Sequence, residues 1–212
     1  MAKAGRLIYQ GLLAAWDGFW MVWLSEVLWL VFCLPVITIP LAFAGLYTCA
    51  NGLAYGESLD WKSFFSGMKR YLGASLRWSG FNLLVILLLV FYIWFFSSPG
   101  RSFFQSGSAV LIYIPVVLIF LWWIVNFYTF PFMLAQQKTS YIQAMRNSLV
   151  LFLKWPGVAL GFTLFNLAVI ALSILLRFPW VVFGASLPAL LACVCVKYVT
   201  AQTLQPGTVA EI

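Results

Sequence analysis

Few residues in this chain could take part in catalysis. The 212 residues include no histidine and only five acids, which are Asp17, Glu26, Glu57, Asp60 and Glu211. Enzymes need groups that exchange protons, attack a substrate or bind a metal, held close together. The sequence contains no glycine-rich phosphate loop, nucleophile elbow or paired carboxylates. It therefore predicts a protein that is not an enzyme and that carries no cofactor.

The four cysteines give no better case for a metal or a disulfide. Cys33, Cys49, Cys193 and Cys195 all lie inside apolar stretches, where cysteine behaves as a small hydrophobic residue. A zinc site needs about four suitably spaced ligands, and the single C-x-C pair at 193–195 has no second pair near it in sequence. We expect these thiols to be packing residues.

Glu26 is the acid that needs an explanation, because it lies near the middle of the first apolar stretch. A charge at that depth costs about 2.5–3.5 kcal/mol on insertion scales. Asn82, Asn126 and Asn166 add polar groups to three other apolar stretches. Two interpretations stay open: these four residues form an intramembrane polar site on a transport path, or Glu26 is a buried structural hydrogen-bond partner.

Composition decides which elements carry these residues. Apolar residues make up 64% of the chain and charged residues 8%, whereas soluble domains carry about 25% charged residues. Because so few charged residues could not form the water-exposed surface of a soluble protein, the excess apolar side chains must face lipid. The sequence predicts an all-α, polytopic transmembrane helical bundle, with residues 1–212 as one integral membrane domain.

Hydropathy and two prolines predict six spans in three hairpins. Pro35 and Pro40 interrupt an apolar stretch that is too long for one span, and proline breaks helices. We therefore expect a tight turn between them. The predicted spans are residues 18–34, 41–55, 78–96, 109–134, 157–176 and 180–199.

The distribution of lysine and arginine favours six spans over five and places both termini in the cytoplasm. Positive residues gather on the cytoplasmic side of membrane proteins. Six spans place only Arg101 and Arg177 on the outer side. The ten cations on the inner side are Lys3, Arg6, Lys62, Lys69, Arg70, Arg77, Lys138, Arg146, Lys154 and Lys197. We expect them to contact anionic lipid headgroups, and because they are scattered singly we expect no nucleic-acid partner.

Two cytoplasmic amphipathic helices are predicted in the loops that follow the second and fourth spans. The first carries Phe64, Met68, Leu72 and Leu76, and the second carries Tyr141, Met145, Leu149 and Leu153. This spacing suggests one apolar stripe on each helix. We predict Asp60 and Ser140 as their N-caps. The cations that would contact lipid or a docking partner are Lys69, Arg70, Arg77, Arg146 and Lys154.

The two loops also repeat each other at an offset of 77 residues. Met68-Lys69, Leu72 and Leu76-Arg77-Trp78 match Met145-Arg146, Leu149 and Leu153-Lys154-Trp155. The predicted order is hairpin, amphipathic helix, hairpin, amphipathic helix, hairpin.

The chain resembles the YesL-like family of bacterial integral membrane proteins. The resemblance rests on residues 28–40 followed by Gly45-Leu46-Tyr47, on Asp60-x-x-x-Phe64, and on residues 128–135 followed by Ala144-x-x-Asn147-Ser148-Leu149. It implies a bacterial cell-membrane protein. It also implies an accessory or regulatory role in carbohydrate uptake, with a membrane transporter complex as the partner. It assigns no catalytic residues.

Overall fold

All regular elements in the described part of the chain are helices. The computed structural model describes residues 2–97, 108–136, 139–176 and 184–203. A short 3-10 helix at Val36–Thr38 separates the second and third α-helices. The α-helices are α1 (Ala2–Asp17), α2 (Phe19–Cys33), α3 (Ile39–Tyr55), α4 (Trp61–Arg70), α5 (Leu72–Ser97), α6 (Ser108–Ala135), α7 (Tyr141–Lys154), α8 (Pro156–Leu176) and α9 (Ser186–Thr203).

The helices form three units of similar design. In each unit an amphipathic helix (α1, α4 or α7) precedes an outer helix (α2, α5 or α8) and an inner helix (α3, α6 or α9). The three inner helices contact one another at the centre, and each outer helix packs on the inner helix of its own unit. Each amphipathic helix packs on the inner helix of a neighbouring unit. α4 packs on α3 and α7 packs on α6, while α1 closes the ring by packing on α9 of the third unit.

A Trp-x-Gly motif occurs once in each unit, at or near the start of the outer helix, and it was not among the motifs recognised from the sequence. It reads Trp16-Asp17-Gly18, Trp78-Ser79-Gly80 and Trp155-Pro156-Gly157. In the first and third units the chain bends at the motif, by 84° between α1 and α2 and by 107° between α7 and α8. In the second unit the motif lies inside α5, since the break between α4 and α5 falls earlier, at Tyr71.

The fold class predicted from composition is confirmed: the protein is an all-helical transmembrane bundle. Within the described ranges, three segments are long and apolar enough to cross a membrane alone, namely Val36–Tyr55, Leu72–Phe95 and Tyr113–Ala135. Each of the two bent pairs, α1 with α2 and α7 with α8, passes the same test as one unit, and α9 is a shorter apolar helix. Helices cover all six predicted spans within the described residues, although residues 177–183 lie outside them.

The predicted turn at the two prolines is present. The backbone leaves α2 after Cys33, and α3 begins at Ile39 with Pro40 in its first turn. The hydroxyl of Thr38 donates hydrogen bonds to the carbonyl of Phe32, at the end of α2, and to the carbonyl of Pro35, in the turn. The six-span prediction also used the positions of lysine and arginine residues. Three of these, Arg101, Lys138 and Arg177, lie outside the described residues.

The first predicted amphipathic helix is shorter than expected. Asp60 caps it as predicted, because its carboxylate accepts a hydrogen bond from the Trp61 amide at 2.8 Å. The helix ends at Arg70, however, so Leu72, Leu76 and Arg77 belong to α5 and the predicted single stripe is wrong. The buried face of α4 consists of Phe64, Gly67 and Met68, and it packs on α3 rather than on lipid.

The second amphipathic helix is present, but its predicted stripe does not follow one face. The buried residues are Ala144, Ser148 and Leu151, while Leu149 and Leu153 are exposed. Residues four apart drift by about 40° per step, because a helix has 3.6 residues per turn, so the predicted stripe winds off the buried face. Ser140 occupies the N-cap position without a side-chain cap bond, which corrects that prediction; its amide donates to Gln136 Oε1 at 3.0 Å.

Candidate intramembrane site and basic surface

Glu26 is fully buried on α2 and its carboxyl group binds the start of α9. The amide of Ala185 donates to Oε1 at 3.1 Å and to Oε2 at 3.0 Å. The amide of Ser186 donates to Oε2 at 2.6 Å. Both carboxyl oxygens act as acceptors, which is the role of a carboxylate. A helix N-terminus carries unpaired N–H groups and partial positive charge, so it attracts such a group.

The start of α9 lies well inside the bundle, which explains why it needs a partner from another helix. Lys197 Nζ donates to the Ala54 carbonyl at 2.8 Å and so ties α9 to the end of α3. Ser186 precedes Lys197 by eleven residues, which is about 16 Å along a helix. The hydrocarbon core of a bilayer is about 30 Å thick. The first amides of α9 therefore lie at the depth of the hydrocarbon core, where Glu26 supplies their acceptor.

Lys197 was counted in the sequence only as a cytoplasmic charge. Its ammonium also lies 4.9 Å from the centroid of the Tyr55 ring. A cation at a helix C-terminus satisfies carbonyls that have no partner in the helix and interacts favourably with its dipole. No spacing pattern could have paired residue 197 with residue 54, because the contact depends on how α9 packs against α3.

Asn82 and Asn126 form a reciprocal pair of bonds with two tryptophans. Asn82 lies four residues after Trp78 on α5, and Asn126 lies four residues after Trp122 on α6. The Trp122 indole donates to Asn82 Oδ1 at 2.9 Å, and the Trp78 indole donates to Asn126 Oδ1 at 3.2 Å. Each asparagine amide also donates to the carbonyl of the tryptophan on its own helix. These bonds hold the α5–α6 hairpin together.

The four residues predicted as one polar site are therefore engaged separately. Glu26 binds the start of α9, while Asn82 and Asn126 join α5 to α6. Asn166 is buried on α8, and neither of its amide atoms meets a partner among the described residues. Within those residues no hydrogen bond connects Glu26 with any of the three asparagines. Glu26 thus matches the structural interpretation more closely than the transport one.

A cavity of about 460 Å³ lies between the three units, beside the Glu26 contact. All three units contribute to its wall, through residues such as Trp29, Tyr47, Trp122, Ile170 and Ala189. Ala185, whose amide binds Glu26, also lines the cavity, but Glu26 itself does not. The asparagine–tryptophan pairs form part of the same wall.

The five predicted surface cations are all exposed near the end of the bundle that carries α4 and α7. We call this set the basic surface: Lys69, Arg70, Arg77, Arg146 and Lys154. Among the residues that the structure describes, none of them forms an ion pair. The guanidinium carbon of Arg70 lies 5.4 Å from the centroid of the Tyr71 ring. No group of three or more potential metal ligands occurs in the described ranges.

Comparisons with protein-family models, with curated proteins and with solved structures find no match to this chain. The resemblance to the YesL-like family accordingly stays a prediction from the residues quoted for it.

Proposed function

We propose that this protein is a non-catalytic accessory protein of the bacterial cell membrane that binds a transporter complex through its cytoplasmic basic surface. The observation that carries this proposal is the unpaired charge of the basic surface, most of which lies on α4 and α7. Both helices bury one face against the bundle, yet their cations face outward without an acidic partner in the described part of the chain. Surface charge of one sign attracts a partner or a membrane of the opposite sign.

The outer face of α7 combines charge with exposed apolar area. Ile142, Leu149 and Leu153 are 74%, 47% and 82% exposed, and Arg146 and Lys154 lie among them. A mixed face of this kind suits docking of a partner helix or groove. It also suits the headgroup region of a membrane, so the experiment must separate the two.

A pocket beside α7 adjoins the basic surface and could hold a side chain of the partner. It measures about 210 Å³ and lies between the ends of α6, α7 and α9. Gln136, Asn147 and Lys154 contribute polar groups to it, and Phe132 and Leu151 contribute apolar ones. A partner side chain that carries a carboxylate would find hydrogen-bond donors here.

The process in which the protein acts is inferred from the family resemblance. That resemblance implies a role in carbohydrate uptake, and the excess of cations on one side supports the cytoplasmic orientation. The same experiment tests the binding to a transporter complex and the role in carbohydrate uptake.

The test is co-purification from the native membrane after mild detergent extraction. We expect a transporter subunit to co-purify in stoichiometric amount with the unaltered protein and to be lost from the double variant Arg146→Gln, Lys154→Gln. The control is the double variant Arg6→Gln, Lys62→Gln, which removes two exposed cations from α1 and α4. Recovery of the protein without a partner would contradict the proposal. Equal loss in both double variants would indicate general binding to anionic lipid instead.

A second candidate function is a small transporter, and the cavity between the three units is the observation that favours it. Purified protein in liposomes should then move solute, and Ala189→Phe, a substitution in the cavity wall, should lower the rate at equal protein content. Absence of flux for a panel of ions, sugars and uncharged apolar solutes would remove this candidate.

A further inference from the structure

The cavity between the three units has the size of a ligand site. Its volume of about 460 Å³ falls within the roughly 300–1,000 Å³ that is usual for sites that bind small molecules.

Among the described residues, the wall of the cavity carries no charged side chain. It consists mainly of aromatic and aliphatic side chains, among them Trp29, Phe43, Trp122, Ile119 and Phe127. The oxygens of both asparagines in the wall already accept indole hydrogen bonds. An ion or a sugar would lose its hydration here without adequate compensation. The wall therefore selects an uncharged, mainly apolar occupant.

The depth and the opening of the cavity indicate where this occupant comes from. Ile119 and Phe127 lie 16 and eight residues before Ala135, which is about 24 Å and 12 Å along α6. Both distances fall within a hydrocarbon core of about 30 Å. Two wall residues, Ile86 and Trp123, are 46% and 36% exposed, and Ile86 adjoins exposed Leu87 on α5. The cavity is thus continuous with the lipid-facing surface.

We propose that this cavity binds the acyl chain of a membrane lipid, which enters sideways past Ile86 and packs among the tryptophans. The burial of apolar chain against aromatic rings supplies the binding energy. This site is separate from the basic surface, so it goes beyond the proposed docking function and does not depend on it.

Photo-crosslinking in nanodiscs tests the proposal. The probe is a phospholipid with a diazirine on its acyl chain, and labelled residues are identified by peptide mass spectrometry. We expect label on the wall residues Trp122 and Pro188. Ala189→Phe fills the cavity from α9 and should reduce this label about tenfold, since overfilled sites exclude their ligands. Ala171→Phe places the same side chain on the exposed face of α8 and should leave the label unchanged.

A second pair of variants covers the case in which Ala189→Phe does not fold. Ile86→Trp narrows the opening at an exposed position, and Leu87→Trp is its control on the lipid-facing side. We expect loss of wall label only for Ile86→Trp. Label confined to outward residues such as Leu83 and Leu87 in the unaltered protein would overturn the proposal. Crosslinking to the wall residues that persists in both Ala189→Phe and Ile86→Trp would also overturn the proposal.

Discussion

Glu26 shows how an acid in an apolar helix can serve another helix. Its carboxyl group receives three hydrogen bonds from the Ala185 and Ser186 amides. Without it, those amides would be buried among apolar groups with no acceptor, which costs several kcal/mol in hydrocarbon. The cost of burying Glu26 is offset by the start of α9, so its position in the sequence need not indicate transport.

Glu26→Gln should lower the free energy of unfolding by about 1–3 kcal/mol, the range for leaving buried donors unsatisfied. The glutamine oxygen still accepts one bond, but its NH2 group faces N–H donors and repels them. Unfolding of the purified protein in a titration with denaturing detergent measures the change.

Glu57→Gln is the matched control, because Glu57 is exposed in the connection between α3 and α4. We expect it to unfold like the unaltered protein. Unchanged stability of Glu26→Gln would show that the contact with α9 contributes nothing.

At the scale of elements, the amphipathic helices approach the bundle through small residues. A Cβ atom on Gly67 of α4 would lie 2.4 Å from Thr48 Oγ1 on α3, and one on Gly11 of α1 would lie 2.6 Å from Leu191 on α9. The corresponding buried position on α7 is Ala144. Close approach lets each amphipathic helix pack directly against an inner helix.

Gly67→Ala should therefore destabilise the protein, although alanine normally favours helices over glycine. Thr48 cannot easily move away, because its hydroxyl donates to the Ala44 carbonyl at 2.7 Å. We expect a loss of about 1–3 kcal/mol, as for other overpacked sites, measured by the same detergent titration.

Gly73→Ala provides the comparison, since a Cβ atom there meets nothing within 4 Å. It should stabilise α5 by about 0.5–1 kcal/mol through the entropy of the unfolded chain. If Gly67→Ala also stabilises the protein, α4 does not pack as closely on α3 as the structure indicates.

At the scale of the whole molecule, the α2–α3 turn and the basic surface lie at opposite ends of the bundle. α3 runs from Ile39 beside the turn to Tyr55 beside α4, and its 17 residues rise by about 25 Å. The position of the turn thus determines which side of the membrane each connection faces.

Cysteine labelling should place the two ends on opposite sides. In a Cys33→Ala background, Ile37→Cys and Leu153→Cys add thiols at positions that are 85% and 82% exposed. An impermeant maleimide applied outside intact cells should label Ile37→Cys, and Leu153→Cys should react only after the membrane is opened.

The parent Cys33→Ala protein should stay unlabelled in both conditions, because Cys49, Cys193 and Cys195 are buried. Labelling of both added cysteines from the same side would refute the six-span topology.

The amino-acid sequence alone determined the class of the protein and the positions of most helices. Apolar stretches of about 20 residues and breaks at Pro35 and Pro40 are local properties, so they identified helices and a turn without knowledge of packing. Asp60 was likewise recognised as a cap, because capping involves neighbours in sequence.

Only the tertiary structure decided what the polar residues contact and which helix faces are buried. Glu26 and Ser186 are 160 residues apart, and the hydrogen bond between Trp78 and Asn126 joins two different helices. The stripes predicted at steps of four failed because α4 ends at Arg70 and because residues four apart on α7 rotate away from the buried face. Such contacts arise from the three-dimensional packing of the units, which periodicity along one helix does not encode.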